Sequence, residues 1–271
     1  MAAPEAATEP APFLLRLRTG NPSAAAVAAT APWSRIAWQK PVKAPTVTIA
    51  EESMLAAIFA ERPRPAALIL MDAVRQPDDL TQRLGCPVVT MDAPLPGATF
   101  LWTPVPPMPP GPWRAAHRCA LALFPARIAH YGVRQQAAVW LAQAGVSIRP
   151  RDDAGSSVAE YHAALRQAVA VVNMAADRKT GRWQMKGRVI EAGMAGCVLL
   201  EQRNPVTALR LTEGRDYLAW DTPGELSALI EVVRRGDGEA MARRLHRKVT
   251  TELTAAAFWS RVAGIAENQK S

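Results

Sequence analysis

Short runs of apolar residues recur along this chain, each bounded by Pro, Gly or an acid, with segments of helical period between them. After residue 118 the alternation is regular: CALALFP (119–125), a helical RQQAAVWLAQAG (134–145) stopping at Gly145, VSIRP (146–150), VAVVNM (169–174), KGRVIEAGMAG (186–196) stopping at a glycine, and CVLLE (197–201). Short apolar runs without polar alternation are strands buried on both faces, and a parallel sheet with crossover helices is what covers both faces. Ser157 with Glu160 forms a capping box, and Val158, Tyr161, Leu165 and Ala168 share one face of the helix it opens. DYLAW (216–220) adds a strand, and Thr222-Pro223-Gly224-Glu225 supplies a capping Thr, Pro at the first helical position and Glu at the third. Helices over about 237–249 and 251–267 follow. Residues 115–235 are thus expected to form a doubly wound α/β domain, in which ligands bind at the carboxyl ends of strands and at helix N-termini.

The earlier part of the chain repeats the pattern on a smaller scale. FLLRL, TVTIA, AALILMD (66–72) and CPVVTMD (86–92) are predicted strands. Between the second and third, Met54, Leu55, Ile58 and Phe59 recur at helical spacing until Pro63, and PDDLTQRLG supplies a short helix before the fourth. Residues 12–93 are therefore expected to form a small α/β domain, and 1–11, Ala/Pro-rich and without period, a loose tail. Eight prolines between Pro94 and Pro112 predict an extended linker over 94–114. The second domain then runs from 115 to 271, with Phe258 and Trp259 packing between the domains.

With 271 residues, 49% of them apolar and 21% charged, the chain can bury two modest cores, which excludes a disordered polyelectrolyte. Its 32 basic and 24 acidic side chains give a net charge of +8, which favours anionic partners. Cys86, Cys119 and Cys197 are too far apart for a metal or redox motif, and no apolar run approaches the length of a membrane helix. A cytoplasmic protein with reduced thiols is expected.

The segment Asp177 to Glu201, DRKTGRWQMKGRVIEAGMAGCVLLE, carries the chemistry. Arg178, Lys179, Arg182, Lys186 and Arg188 crowd the turn between a buried strand and a helix start, where backbone amides already carry partial positive charge. Gly187 allows close backbone approach and Lys186 and Arg188 supply full charges, so a phosphate is the expected ligand. Glu191 falls one turn inside the helix, where a carboxylate can accept from two ribose hydroxyls. A solvated charged loop, with Glu191 serving only the helix, is the competing reading.

From Tyr161 to Trp259 the chain resembles the C-terminal domain of group 1 glycosyltransferases of the GT-B fold, especially the bacterial subfamily of spore-maturation and spore-coat proteins. EYHAALRQAVAVVNM, QMKGRVIEAGMAGCVLLEQRNP, LTEGRDYLAWDTPGELSALI and RRLHRKVTTELTAAAFWSRV carry the likeness, over roughly 140 residues from about 119 onward. The resemblance implies two Rossmann-like domains, the N-terminal one short, and transfer of a sugar from a nucleotide-diphosphate donor without a metal or further cofactor. It matches Glu191 to the acid that holds the donor ribose, Lys186 and Arg188 to basic residues near the diphosphate, and Gly193, Ala195 and Gly196 to small packing positions. Many retaining members carry a second glutamate eight positions earlier, and here that position is Trp183.

Asn173 and Glu201, at predicted strand ends, are further candidates for donor contact, and Arg182 joins the diphosphate group. Glu201 with Asn204 and Pro205 can alternatively serve the next helix start. Asp72, Asp92 and His117 are the candidate bases toward an acceptor hydroxyl, with turn or cap roles as the alternative for the acids and an ordinary histidine for His117 and His130. The acceptor, a glycan, lipid or protein, is expected to enter from the first domain. Arg234, Arg235, Arg243, Arg244, Arg247 and Lys248 form a solvated basic face or dock on an anionic membrane. Two alternatives stay open: a non-catalytic GT-B relative that keeps the nucleotide pocket, and a basic nucleic-acid-binding protein resting on the charge alone.

Overall fold

The computed structural model describes residues 13–18, 22–33, 35–36, 45–51, 55, 58, 65–71, 80–91, 93–108, 120–124, 132–144, 146–148, 157–174 and 183–268. It divides into two compact units, Met1–Pro106 together with Ala255–Ser271, and Pro107–Thr254. Each has its own parallel sheet among the described residues.

The first unit contains β1 (Leu14–Arg18), α1 (Pro22–Ala29), β2 (Arg35–Ile36), β3 (Thr46–Glu51), β4 (Ala67–Met71), α2 (Leu80–Leu84), β5 (Val88–Thr90) and β6 (Thr99–Phe100). The sheet order is β2-β1-β3-β4-β5-β6. All five residues of β4 are buried, as an interior strand covered on both faces requires. Leu55 and Ile58, helical between β3 and β4, pack with Leu68, Leu70, Leu80 and Leu84 on one face.

The proline-rich segment departs from the expected linker. Its described part up to Pro106 belongs to this unit: β6 pairs with β5 through Val89↔Thr99 and Thr90↔Phe100, and Leu101 N donates to Thr90 O at 2.9 Å. Leu95, Trp102 and Val105 are buried. The prolines flank the two ladder residues without entering the ladder, so the sheet loses no N–H, and an edge strand tolerates such neighbours. Residues 109–119, including the last prolines, lie outside the described residues.

The second unit runs β7 (Ala120–Phe124), α3 (Gly132–Gln143), β8 (Val146–Ile148), α4 (Val158–Gln167), β9 (Ala168–Asn173), α5 (Gly187–Met194), β10 (Val198–Gln202), α6 (Pro205–Ala208), β11 (Leu218–Trp220), α7 (Pro223–Arg234) and α8 (Glu239–Thr251). Its sheet order, β11-β10-β9-β7-β8, places β8 and β9 on opposite sides of β7. The topological switch point of this doubly wound sheet therefore lies between β7 and β9. Ser157 and Glu160 make both capping-box bonds at the start of α4. Val158, expected on its buried face, is 63% exposed; Tyr161, Ala164 and Leu165 carry that face, and Ala168 begins β9.

Helix α5 ends at Gly196, whose φ of +69° favours glycine. Gly196 N bonds Gly193 O and Cys197 N bonds Ala192 O, a Schellman arrangement that turns the chain into β10. A Cβ at Gly193 would lie 2.8 Å from Val249 Cγ2, so α5 approaches α8 at a point where only hydrogen fits. Thr222 caps α7 by accepting from Glu225 N, with Pro223 at the first position, as its sequence predicts.

The final helix, α9 (Ala255–Glu267), groups with the first unit, which differs from the expected domain of 115–271. Phe258 and Trp259, expected between the domains, make their ring contacts with residues of that unit. Trp259 meets Trp33 edge-on at 5.2 Å, Trp33 meets Phe13 at 5.4 Å, and Phe258 meets Trp102 at 6.1 Å. The Trp259 indole N–H donates to Thr30 Oγ1 at 2.8 Å.

Candidate functional site

Six of the residues expected at a donor site, Asn173, Lys186, Gly187, Arg188, Glu191 and Glu201, occupy the carboxyl ends of β9 and β10 and the start of α5. Arg182, Asp72, Asp92 and His117 lie outside the described residues, as do His130, Arg178 and Lys179. Register explains half of the convergence. Glu201 is the Cα partner of Asn173 in the β9–β10 ladder, so their side chains leave the sheet side by side.

The start of α5 inverts ordinary helix chemistry. Its N-cap is Lys186, which makes no side-chain capping bond, and no acid stands in the first turn. A helix N-terminus of this length usually recruits Ser, Thr, Asp or Asn to accept its free amides and an acid to match its dipole. Here Lys186 and Arg188 add positive charge to positive potential, an arrangement that an anionic ligand resolves. Arg188 Nη1 donates to Asn173 Oδ1 at 3.0 Å, while its Nε is buried and, among the described residues, has no hydrogen-bond partner.

Glu201 anchors the floor of this corner. It is 0% exposed and accepts from Asn173 Nδ2 at 2.7 Å, Asn204 Nδ2 at 3.1 Å and Thr207 Oγ1 at 3.0 Å. Burial pushes its carboxyl up to about 7, against the three hydrogen bonds and the nearby Arg188 charge, which favour the ionised form. With these three partners Glu201 has no exposed surface of its own. Nor does it cap α6 itself: Asn204 does so, accepting from Val206 N and Thr207 N, while Glu201 holds the Asn204 amide.

Glu191 lies one turn into α5, where Tyr161 Oη donates to its Oε2 at 2.6 Å. The bond comes from α4 and fixes the carboxylate rotamer. Among the described residues the other oxygen has no hydrogen-bond partner, so one acceptor is held and one remains for a ligand. Sequence reasoning places Tyr161 on the apolar face of α4 and misses this role. The signal available was a hydroxyl on an otherwise apolar stripe, since a buried Tyr needs a partner for its O–H. Gln184 and Thr207 were also missed, because nothing local marks the bonds they make to the Glu201 group.

Five of the six basic residues at α7 and α8 have internal side-chain partners. Arg234 pairs with Glu231, Arg235 with Asp237 and Arg243 with Glu239, Arg244 Nε donates to Arg215 O, and Lys248 Nζ lies 3.5 Å from Asp216. Among the described residues no helix is long and apolar enough to cross a membrane.

Two Rossmann-like units, one of them presenting an uncapped basic helix start beside its switch-point strands, form the GT-B architecture of glycosyltransferases. Residues 117–263 match the model of the glycosyl transferase-like family, and the chain belongs to that family. In structure it is similar to a glycosyltransferase from Rickettsia africae, with a TM-score of 0.64 at 8% identity over 96% of this chain and 98% of that one. It is similar also to HepE of Anabaena, solved with UDP-glucose, with a TM-score of 0.62 at 10% identity over 95% and 99% of the two chains. The match to TarM has a TM-score of 0.55 at 7% identity over 82% of this chain, which spans about half of TarM, 54%. At these identities the likeness is one of fold. No curated protein matches the sequence.

Proposed function

We propose that this protein transfers a sugar from a nucleotide-diphosphate donor held at the start of α5, in a bacterial cytoplasm. The observation that carries the reading is the uncapped N-terminus of α5 bearing Lys186 and Arg188, with the Arg188 Nε buried and, among the described residues, unpartnered, and Glu191 one turn inside. The solved UDP-glucose complex of HepE, a neighbour in fold, supports a donor of this class. Lys186, Arg188 and the free amides of α5 take the diphosphate, Glu191 accepts from the ribose, and Asn173 lines the approach. Arg182, four residues earlier in the sequence than Lys186, joins them. In the reaction the bond between the anomeric carbon and the diphosphate oxygen breaks as the acceptor oxygen bonds to that carbon. The acceptor proton passes to a base, for which Asp72, Asp92 and His117 are the candidates. Charge developing on the leaving nucleoside diphosphate is stabilised by donors already aimed at it. The scheme needs no metal, so transfer is expected to persist in EDTA, and its loss would remove that part of the proposal. The closer tie to the spore-maturation and spore-coat branch rests on the sequence motifs alone.

The direct test is a calorimetric titration of UDP, GDP, dTDP and CDP against the wild type and the Lys186→Ala and Glu191→Ala variants. One nucleotide is expected to bind in the micromolar range, and each variant to weaken it about ten-fold, the scale of one charge-assisted hydrogen bond. Unchanged affinity in both variants would sink the assignment. Trp183, at the position where retaining relatives carry a glutamate, favours a second reading as a non-catalytic binding protein. That reading predicts nucleotide binding without transfer or donor hydrolysis across a panel of acceptors.

A further inference from the structure

We propose that Glu201 is a positioning residue: through the Asn173 amide it orients the Arg188 guanidinium, and through Asn204 it holds the backbone at Gln184 that leads into Lys186. The inference rests on the reading of the α5 start as the diphosphate site.

Asn173 stands between Arg188 Nη1, 3.0 Å from its Oδ1, and Glu201 Oε2, 2.7 Å from its Nδ2. A guanidinium carries only donors and an ionised carboxylate only acceptors, so the amide between them has a single satisfied orientation. The carboxylate dictates it. Were position 201 to offer an N–H, Asn173 would turn its oxygen toward that group and its NH2 toward Arg188, setting donor against donor. The second arm runs through Asn204, whose Nδ2 donates to Glu201 Oε1 at 3.1 Å and to Gln184 O at 2.8 Å. Gln184 lies two residues before the α5 N-cap. Both cations at the α5 start are thereby referred to one buried carboxylate. Stability alone does not call for an acid here, because well-packed apolar residues often replace buried charge without loss.

The test titrates UDP, GDP, dTDP and CDP at pH 8 against the wild type, Arg188→Ala, Glu201→Gln and the double exchange Asn173→Asp/Glu201→Gln, with thermal unfolding recorded for each. Glu201→Gln keeps shape and is expected to lose about ten-fold in affinity, as Arg188→Ala does, since both cost one charge-assisted contact. In the double exchange the amide at 201 donates to the carboxylate at 173, whose second oxygen again accepts from Arg188. Affinity is expected to return to within about three-fold of wild type, because the two positions act as a coupled pair. A merely structural role for Glu201 would leave the folded double variant as weak as the single one. That result, or wild-type affinity in Glu201→Gln, overturns the positioning role while Arg188→Ala still upholds the donor site. Wild-type affinity in Arg188→Ala, or no nucleotide bound by the wild type, overturns the donor reading and this inference with it. Should Glu201→Gln fail to fold, Asn173→Ala cuts the same link while leaving Glu201 on Asn204 and Thr207. It is expected to show the same loss, and unaltered affinity there refutes the link.

Discussion

Raising the pH from about 4 to 8 is expected to destabilise the wild type by about 3 kcal/mol relative to a Glu201→Gln variant. The carboxyl of Glu201 is pushed up from its ordinary 4.5 to about 7 in the folded protein, chiefly by burial. Below pH 4.5 the group is protonated in both folded and unfolded states, and its stabilising contribution is fully present. As the pH rises toward 7 the unfolded chain releases this proton while the folded chain retains it, so the contribution is progressively lost. The rise from 4.5 to about 7 converts, at about 1.4 kcal/mol per pH unit, to the stated difference. The charged and polar groups that face Glu201 are Asn173 on β9, Arg188 on α5, Asn204 and Thr207 at α6, and the hydroxyl of Tyr217, itself pushed up to about 12 and neutral across this window. Urea unfolding of both proteins at several pH values reads the difference directly. Parallel stability curves would mean that Glu201 titrates as an ordinary surface acid.

Trp259→Ala is expected to cost about 3 to 5 kcal/mol, the range for emptying a buried aromatic site. Trp259 is 1% exposed, is packed edge-on against Trp33 and Phe258, and donates its N–H to Thr30. Truncation removes the ring contacts and leaves the Thr30 hydroxyl without that donor. Denaturant unfolding followed by near-ultraviolet dichroism measures the effect. A change below about 1 kcal/mol, the scale of a surface substitution, would contradict the placement of α9 in the first unit's core.

What could be read from sequence follows from the range over which each signal acts. The strands β9 and β10, the capping box at Ser157 and Glu160, the glycine stop of α5 and the Thr222 cap are encoded within a few neighbouring residues, and all appear as expected. Helix α1, PSAAAVAA, was not foreseen because its apolar residues mark no face. The two-residue strands β2 and β6 carry no period at all, and proline density near β6 suggested a linker where the side chains between the prolines are buried. The place of α9 is a tertiary matter: Trp259 and Thr30 are 229 residues apart, and no local pattern reports that pairing. At the candidate site the cations and Glu191 were legible from motif and helix position. The bonds of Tyr161 to Glu191 and of Asn173 to Glu201 were not, since those partners lie 30 and 28 residues apart and meet only through helix packing and sheet register.

The pairing of α9 with β1–β6 has a consequence for how the chain is made. Residues 107–254 emerge from the ribosome between the two parts of the first unit, so the second unit can complete its sheet while the first still lacks a helix. At ordinary rates of translation the interval is on the order of ten seconds, far longer than a domain of this size needs to collapse. During that interval Trp33 waits without Trp259 and Trp102 without Phe258, two indole rings still missing the α9 partners that cover them in the finished unit. The order of synthesis thus hands the nucleotide-side unit a head start and makes the early strands the part of the chain most in need of a chaperone.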